Sequence, residues 1–132
     1  MIRTLHLAIG AAGLLLFVLT GQYMERFAGV PELPDTERML YRSNHIYLLL
    51  VCACNIAAGF FMKPAGPANV LQMSCSVALM ALPFLFAVAF FIEPASGSLE
   101  RPITRLSLFL AFGTVSLMLI SELWSRVRGT GE

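Results

Sequence analysis

The chain has 132 residues, of which 58% are hydrophobic and 13% are charged, with a formal net charge of +1 and a mean hydropathy of +0.77. Soluble domains carry about 25% charged residues, so this composition is typical of a membrane protein. The near-zero net charge and the single lysine, Lys63, exclude the basic surface of a nucleic-acid binder and leave lipids, membrane proteins and small molecules as partners.

The first apolar run predicts a membrane-spanning helix over residues 4–24. Its ~21 residues give ~31 Å of helix, about the thickness of the hydrocarbon core of a bilayer. The positively charged start imitates a signal peptide, but the run has the full length of a span, so we interpret it as a retained first helix. Residues 24–37 combine charge with two prolines, which excludes them from lipid and predicts a structured loop.

The second helix is predicted over residues 35–62, with its N-cap near Asp35. His45 lies about one turn inside its apolar boundary, where an imidazole needs a polar partner. At 100° per residue, one face of this helix carries ionisable residues near the loop and smaller residues further along. This face contains Arg38, Arg42, His45, Leu49, Cys52, Ile56 and Gly59.

A compact breaker at residues 63–67 makes the second helix and a third, over 68–92, antiparallel neighbours. After a turn at 93–98, a fourth helix is predicted over 103–125 with Pro102 near its first turn, followed by a disordered tail at 129–132. The predicted fold is therefore a single-domain, all-α membrane protein, an antiparallel up-down-up-down bundle of four transmembrane helices. We expect it in a bacterial inner or cell membrane with both termini in the cytoplasm, although arginine and lysine are almost evenly divided between the two sides.

Two polar layers are predicted, one near each end of the bundle. The layer beside the first loop contains Glu25, Arg38, Tyr41, Arg42, His45, Glu93 and Arg105. A collar of solvated ion pairs, each worth under ~1 kcal/mol, would produce the same pattern. The functional interpretation is a ligand or proton site, with His45 titrating near neutral pH and Arg42 or Arg105 holding an anionic or carbonyl group. The second layer contains His6, Gln72 and Glu122, in which a hydrogen bond from His6 to Glu122 is compatible with helix geometry.

The motifs of metal, cofactor and catalytic sites are missing. The two histidines are expected at opposite ends of the bundle, so they cannot both ligate one haem iron. Met24 and His45 are the remaining pair of possible haem ligands at similar depth. The three cysteines lie in apolar runs without a C-x-x-C motif and are interpreted as packing residues. Zinc-ligand spacing, a nucleophile elbow and a phosphate loop are all lacking, so we expect no metal, no cofactor and no enzymatic activity.

The leading hypothesis is a small integral membrane protein that binds a small polar or amphiphilic ligand, or relays protons, at the Arg/His/Glu layer near one membrane face. One alternative is an accessory or assembly subunit of a larger membrane complex, which fits the small size of the chain. Another is a membrane redox protein that holds haem or a metal. The expected partners are lipids, an unidentified small molecule, and either a larger complex or further copies of the chain.

Overall fold

The computed structural model describes residues 1–61, 70–96 and 98–129, and this part of the chain contains helices and no strand. The four long helices are α1 Ile2–Arg26, α2 Asp35–Phe61, α3 Val70–Ile92 and α4 Pro102–Gly129. Short 3-10 turns lie at Val30–Glu32 and Pro94–Ser96. All four helices are long and apolar enough to cross a bilayer. The prediction of an all-helical chain with four helices of membrane-spanning length is thereby confirmed.

The first helix extends further than predicted, and the loop after it is shorter. α1 ends at Arg26 rather than at residue 24, because the amides of Phe27 and Ala28 both bond to the carbonyl oxygen of Tyr23. Gly29 then reverses the chain with a φ of 55°, a conformation that favours glycine. The predictions for the breaker at 63–67, the adjoining helix ends at 62 and 68, and the tail at 130–132 fall outside the described residues.

α1 and α2 approach each other closely through glycines. A Cβ atom at Gly10 would lie 3.1 Å from the carbonyl oxygen of Cys52, and one at Gly59 would lie 3.1 Å from the carbonyl oxygen of Arg3. Small residues at such contacts allow helix backbones to pack tightly. The guanidinium of Arg3 donates to the carbonyl oxygens of Gly59 and Phe60 at 3.0 and 2.8 Å. The first turn of α1 therefore lies against the last turn of α2.

The centre of the bundle is formed by α2 and α3. The buried cluster contains Leu48, Val51, Cys52, Leu79, Leu82 and Phe86. Partly buried side chains of α1 and α4 pack around it, and α4 rests mainly on α3. The outer surface is also rich in leucine, phenylalanine and valine. Helices that are apolar on their outer as well as their inner faces are typical of a protein surrounded by lipid.

The buried face of α2 only partly overlaps the predicted face that carries its ionisable residues. It consists of Leu40, Asn44, Leu48, Val51, Cys52, Asn55 and Gly59. Arg42 and Leu49 are exposed, although helical periodicity places them with Cys52 and Gly59. Because α2 packs against both α1 and α3, its buried surface is centred between these two neighbours.

Candidate functional site

Most of the buried polar side chains in the described part of the chain belong to three groups, around His6, Glu93 and His45. The groups differ in whether each hydrogen-bonding atom has a partner. A buried polar group with all its partners fastens helices together, whereas an accessible atom without one is able to bind a ligand.

The His6 group links α1, α2 and α3 and is fully paired. Nδ1 of His6 lies 2.8 Å from Oδ1 of Asn55, and Nε2 lies 2.5 Å from Oγ of Ser76. Nδ2 of Asn55 donates to the carbonyl oxygens of Val51 and Leu79 at 2.9 Å each, so its Oδ1 accepts the proton of Nδ1. Nε2 of the neutral ring then accepts from the hydroxyl of Ser76. The ring has no nitrogen left for a ligand.

The predicted hydrogen bond between His6 and Glu122 is wrong, because Asn55 and Ser76 occupy both nitrogens of the ring. α4, which carries Glu122, packs mainly on α3, so α3 supplies the partner that the sequence assigned to α4. Gln72 and Glu122 are half-buried and make interactions of their own.

The Glu93 group joins the end of α3 to the start of α4. Oε1 of Glu93 accepts from the backbone N–H of Thr104 at 2.8 Å, and Oε2 accepts from the Thr104 hydroxyl and from Nδ2 of Asn44 at 3.2 Å. The first-turn amides of a helix have no partner within it, so this carboxylate caps α4 and interacts favourably with its positive end. Arg101 completes the group: Nη2 donates to Ser43 and Asn44 at 2.8 and 2.7 Å, and Nε lies 3.9 Å from Oε2 of Glu93.

His45 lies in the groove between α1 and α2 and keeps one nitrogen open. Its ring stacks on Phe17, with centroids 3.9 Å apart and planes at 17°, and its Nδ1 lies 3.1 Å from Oγ1 of Thr20. Nε2 faces Gly21, where a Cβ atom would lie 3.5 Å away. No hydrogen bond within the described residues reaches Nε2, and the ring is only half-buried. This nitrogen is therefore available to a ligand.

The surroundings of the open nitrogen change from polar to apolar along the groove. Arg42 precedes His45 by one turn and Glu25 follows the facing glycine by one turn, both toward the 27–34 loop and both exposed. In the other direction Leu49 and Val18 are 38% and 57% exposed. Positions three or four apart share a helix face, so helical periodicity places Arg42 and Leu49 on the face of His45, and Glu25 and Val18 on the face of Gly21. The groove therefore offers a charged rim on one side and an apolar surface on the other.

The predicted ligand layer is divided between two of these groups. Glu93 faces Asn44 and not His45, because consecutive residues of a helix point about 100° apart. Arg42 lies one turn from His45 and Glu25 one turn from Gly21, both toward the 27–34 loop. Their side chains make no hydrogen bond or ion pair with the described part of the chain.

The remaining members of the predicted layer beside the first loop have no hydrogen bond to His45 in the described part of the chain. Arg38 pairs with Asp35 at the start of α2. Tyr41 is half-buried and packs edge-on against Phe90, with ring centroids 5.2 Å apart. Arg105 is exposed on α4 and has no side-chain partner among the described residues.

Metal ligands are not grouped in the described part of the chain. Met24, the partner suggested for His45 at a haem, is half-buried near the end of α1. Clusters of three or more histidine, cysteine, aspartate or glutamate side chains able to hold a metal ion do not occur among the residues that the structure describes.

Asn44 and Thr20 are two of the several residues in these groups that were not singled out as site residues from the sequence. The sequence pattern could have identified Asn44. It lies between Leu40 and Leu48, each four positions away, so its amide interrupts an apolar stripe on one helix face. The pattern around Thr20 is less informative, because threonine is common in apolar helices and its hydroxyl donates a hydrogen bond to a carbonyl oxygen of the preceding turn.

Comparison of the chain with known protein families, with curated proteins and with solved structures returned no match. The function is therefore inferred from the side chains themselves. Of the two histidines, His45 is the one that retains a nitrogen without a hydrogen-bond partner among the residues that the structure describes.

Proposed function

We propose that this chain is an integral membrane protein whose four helices cross the bilayer in alternating directions. Helices of 23 to 28 residues exceed the ~30 Å core of a bilayer at ~1.5 Å per residue. The contact of Arg3 with the last turn of α2 supports an antiparallel α1 and α2, and the short connection between α3 and α4 supports the same for that pair. Both termini then lie opposite the 27–34 loop, and we place them in the cytoplasm.

The function that the geometry supports best is binding of an amphiphilic small molecule at His45. The observation that carries this proposal is the accessible Nε2, on a ring fixed by the Phe17 stack and the Thr20 contact. Because the ring is already ordered, a ligand loses little binding free energy in positioning it. The charged rim and the apolar surface beyond it suit a polar head and a hydrocarbon tail that enter from the bilayer.

Thermal unfolding in lipid nanodiscs tests this function. The probes are dodecyl compounds with alcohol, phenol, amine or ketone head groups, and we expect at least one to raise the unfolding temperature. His45→Phe keeps a stacking ring without nitrogens, and Gly21→Leu covers Nε2 while it leaves the imidazole in place, so both variants lose the response. Gly113→Leu is the matched control, because no atom lies within 4 Å of a Cβ at this position.

The proposal fails if none of the probes stabilises the protein, or if the stabilisation survives in both His45→Phe and Gly21→Leu. A coloured preparation whose colour disappears in His45→Phe would assign the nitrogen to haem instead.

A second candidate function is an accessory subunit of a larger membrane complex. The exposure of α4 favours this role. Only 11% of the most apolar stretch of α4 is buried, against 44% of the most apolar stretch of residues 70–96. A helix held on one side only has a free surface for another protein. Native mass spectrometry after purification in mild detergent separates the candidates, since a protein partner at fixed stoichiometry supports this role and a monomer or homo-oligomer contradicts it.

A further inference from the structure

The hydroxyl of Thr20 has a single proton and two neighbours that are able to receive it. It donates to the carbonyl oxygen of Phe17 at 2.9 Å, and its oxygen lies 3.1 Å from Nδ1 of His45. The first contact is local to one turn of α1 and does not depend on the position of the imidazole. With the proton committed to this carbonyl, the hydroxyl oxygen accepts from the ring. Nδ1 of His45 therefore carries a hydrogen.

A neutral imidazole that carries its proton on Nδ1 presents a lone pair at Nε2. Thr20 is 1% exposed, so water does not compete for its hydroxyl. The opposite tautomer requires that the hydroxyl turn away from the Phe17 carbonyl and donate to Nδ1 instead. Thr20 thus determines which kind of hydrogen-bonding atom His45 shows to the groove.

At the other histidine, His6, the protein itself supplies the hydrogen bond that a ligand would supply at His45. In the His6 group, Asn55 keeps the proton on Nδ1, and the hydroxyl of Ser76 donates to Nε2. At His45 the equivalent of the asparagine is Thr20, but no residue in the described part of the chain replaces the serine. A hydroxyl supplied from outside would complete the second group as Ser76 completes the first.

We infer that Thr20 is a specificity-determining residue, which makes His45 an acceptor and favours amphiphiles whose head group carries a hydrogen-bond donor, such as an alcohol, a phenol or an ammonium. This inference rests on the proposed function, because it concerns the ligand of the same nitrogen. It predicts weaker binding of ketone, ether and ester head groups, which only accept.

Nuclear magnetic resonance of protein with isotope-labelled histidine tests the tautomer and the selectivity together. The sequence contains 2 histidines, so His45→Phe assigns both side chains and His6 is an internal control. We expect both rings to carry the proton on Nδ1. Adding para-dodecylphenol should shift Nε2 of His45 and leave His6 unchanged. Para-dodecylanisole, in which a methyl group replaces the donated proton, should bind about fivefold more weakly, the ratio expected for one hydrogen bond.

Two variants of Thr20 separate its role from that of the groove. Thr20→Val keeps the shape without the hydroxyl, so we expect mixed tautomers at His45 and a phenol-to-anisole affinity ratio near one. Thr20→Ser keeps the hydroxyl and should keep the ratio. If Thr20→Val does not fold, the tautomer of the wild-type protein and the Thr20→Ser ratio still decide.

Each alternative outcome has a distinct meaning. A proton on Nε2 of the wild-type protein, or tighter binding of a dodecyl ketone than of the phenol, overturns the inference but leaves ligand binding at His45 intact. If none of the dodecyl alcohol, phenol, amine and ketone probes shifts the His45 signals, the proposed function falls and the inference falls with it.

Discussion

Asn44 and His45 are consecutive residues that belong to different parts of the molecule. The amide of Asn44 contacts Glu93, Thr104 and Arg101, and the ring of His45 contacts α1. A helix turns about 100° per residue, so one short stretch of α2 serves both sides. We therefore expect substitutions at 44 to change the stability of the bundle and substitutions at 45 to change ligand binding.

The sequence predicts that His45, Arg42 and Glu25 lie in one layer beside the first loop, but it reveals neither the partner of the ring nor its open nitrogen. Depth and helical phase placed these residues in that layer. In the structure Arg42 lies one turn before His45 on α2, and Glu25 lies one turn after Gly21, which faces the ring from α1. The sequence indicated only that the ring needs a polar partner, and in the structure the ring bonds to the hydroxyl of Thr20 and stacks on Phe17. Neutral partners avoid the desolvation cost of a buried ion pair, and residue charge alone does not reveal them.

At His6, we predict a large loss of stability on substitution by leucine. His6→Leu keeps an apolar side chain in the site but leaves Oδ1 of Asn55 and the hydroxyl of Ser76 without their partner, and all three residues are 0% exposed. An unpaired buried polar group costs about 1–3 kcal/mol, so the free energy of unfolding should fall by about 2–4 kcal/mol. Reversible unfolding in mixed detergent micelles measures it. Thr4→Val, at an exposed position of α1, is the control, and an equal loss in both variants would contradict the pairing.

At the scale of the helix, the bounds are easier to predict than the packing faces. Apolar run length, proline and charge placed the described ends of α1, α2 and α4 within a few residues of those observed. The buried face of α2 depends on the positions of α1 and α3 around it, which the sequence of α2 alone does not contain.

The close contact between α1 and α2 at Gly13 predicts that a second substitution restores the stability lost through a first. A Cβ at Gly13 would collide with Sγ of Cys52, so Gly13→Ala should push the helices apart and cost about 1–3 kcal/mol of unfolding free energy. The same Cβ lies 3.5 Å from Cβ of Cys52, an ordinary contact, so the double variant with Cys52→Ala should regain most of the loss. Gly113→Ala, with no atom within 4 Å, should be neutral or stabilising in the same unfolding measurement. Additive losses in the double variant would contradict this contact.

The start of α4 depends on a carboxylate supplied by α3. Glu93→Ala removes the acceptor for the backbone N–H of Thr104 and the acid nearest to Arg101, so we expect a loss of about 2–3 kcal/mol in the free energy of unfolding. Hydrogen exchange should increase at the first-turn amides of α4 more than at those of α1. Glu100→Ala changes an exposed acid in the same connection and should leave both quantities unchanged. Similar exchange in the two variants would show that Glu93 does not cap α4.

At the scale of the whole molecule, buried hydrogen-bonded groups join the helices, and apolar side chains cover the outer surface. The His6 group fastens α1 to α2 and α3 at one end, and the Glu93 group fastens α2, α3 and α4 at the other. Few polar atoms are left between them, so packing at glycines and in the apolar cluster supports the middle of the bundle. The groove beside His45 lies between α1 and α2, which the His6 group joins toward the opposite end, and under the proposed function a ligand enters this groove from lipid.

Alternating directions of the four helices predict which segments share a side of the membrane. Glu32, before α2, and Glu100, before α4, are both exposed and should lie on the outer side. Cysteines placed at these two positions should react with an impermeant maleimide in intact cells, whereas a cysteine added after Glu132 should react only after lysis. The parent protein, with its cysteines inside the helices, is the background control. Labelling at 32 but not at 100 would mean that α2 and α3 do not return the chain to the same side, and labelling of the added cysteine alone would reverse the orientation while preserving the alternation.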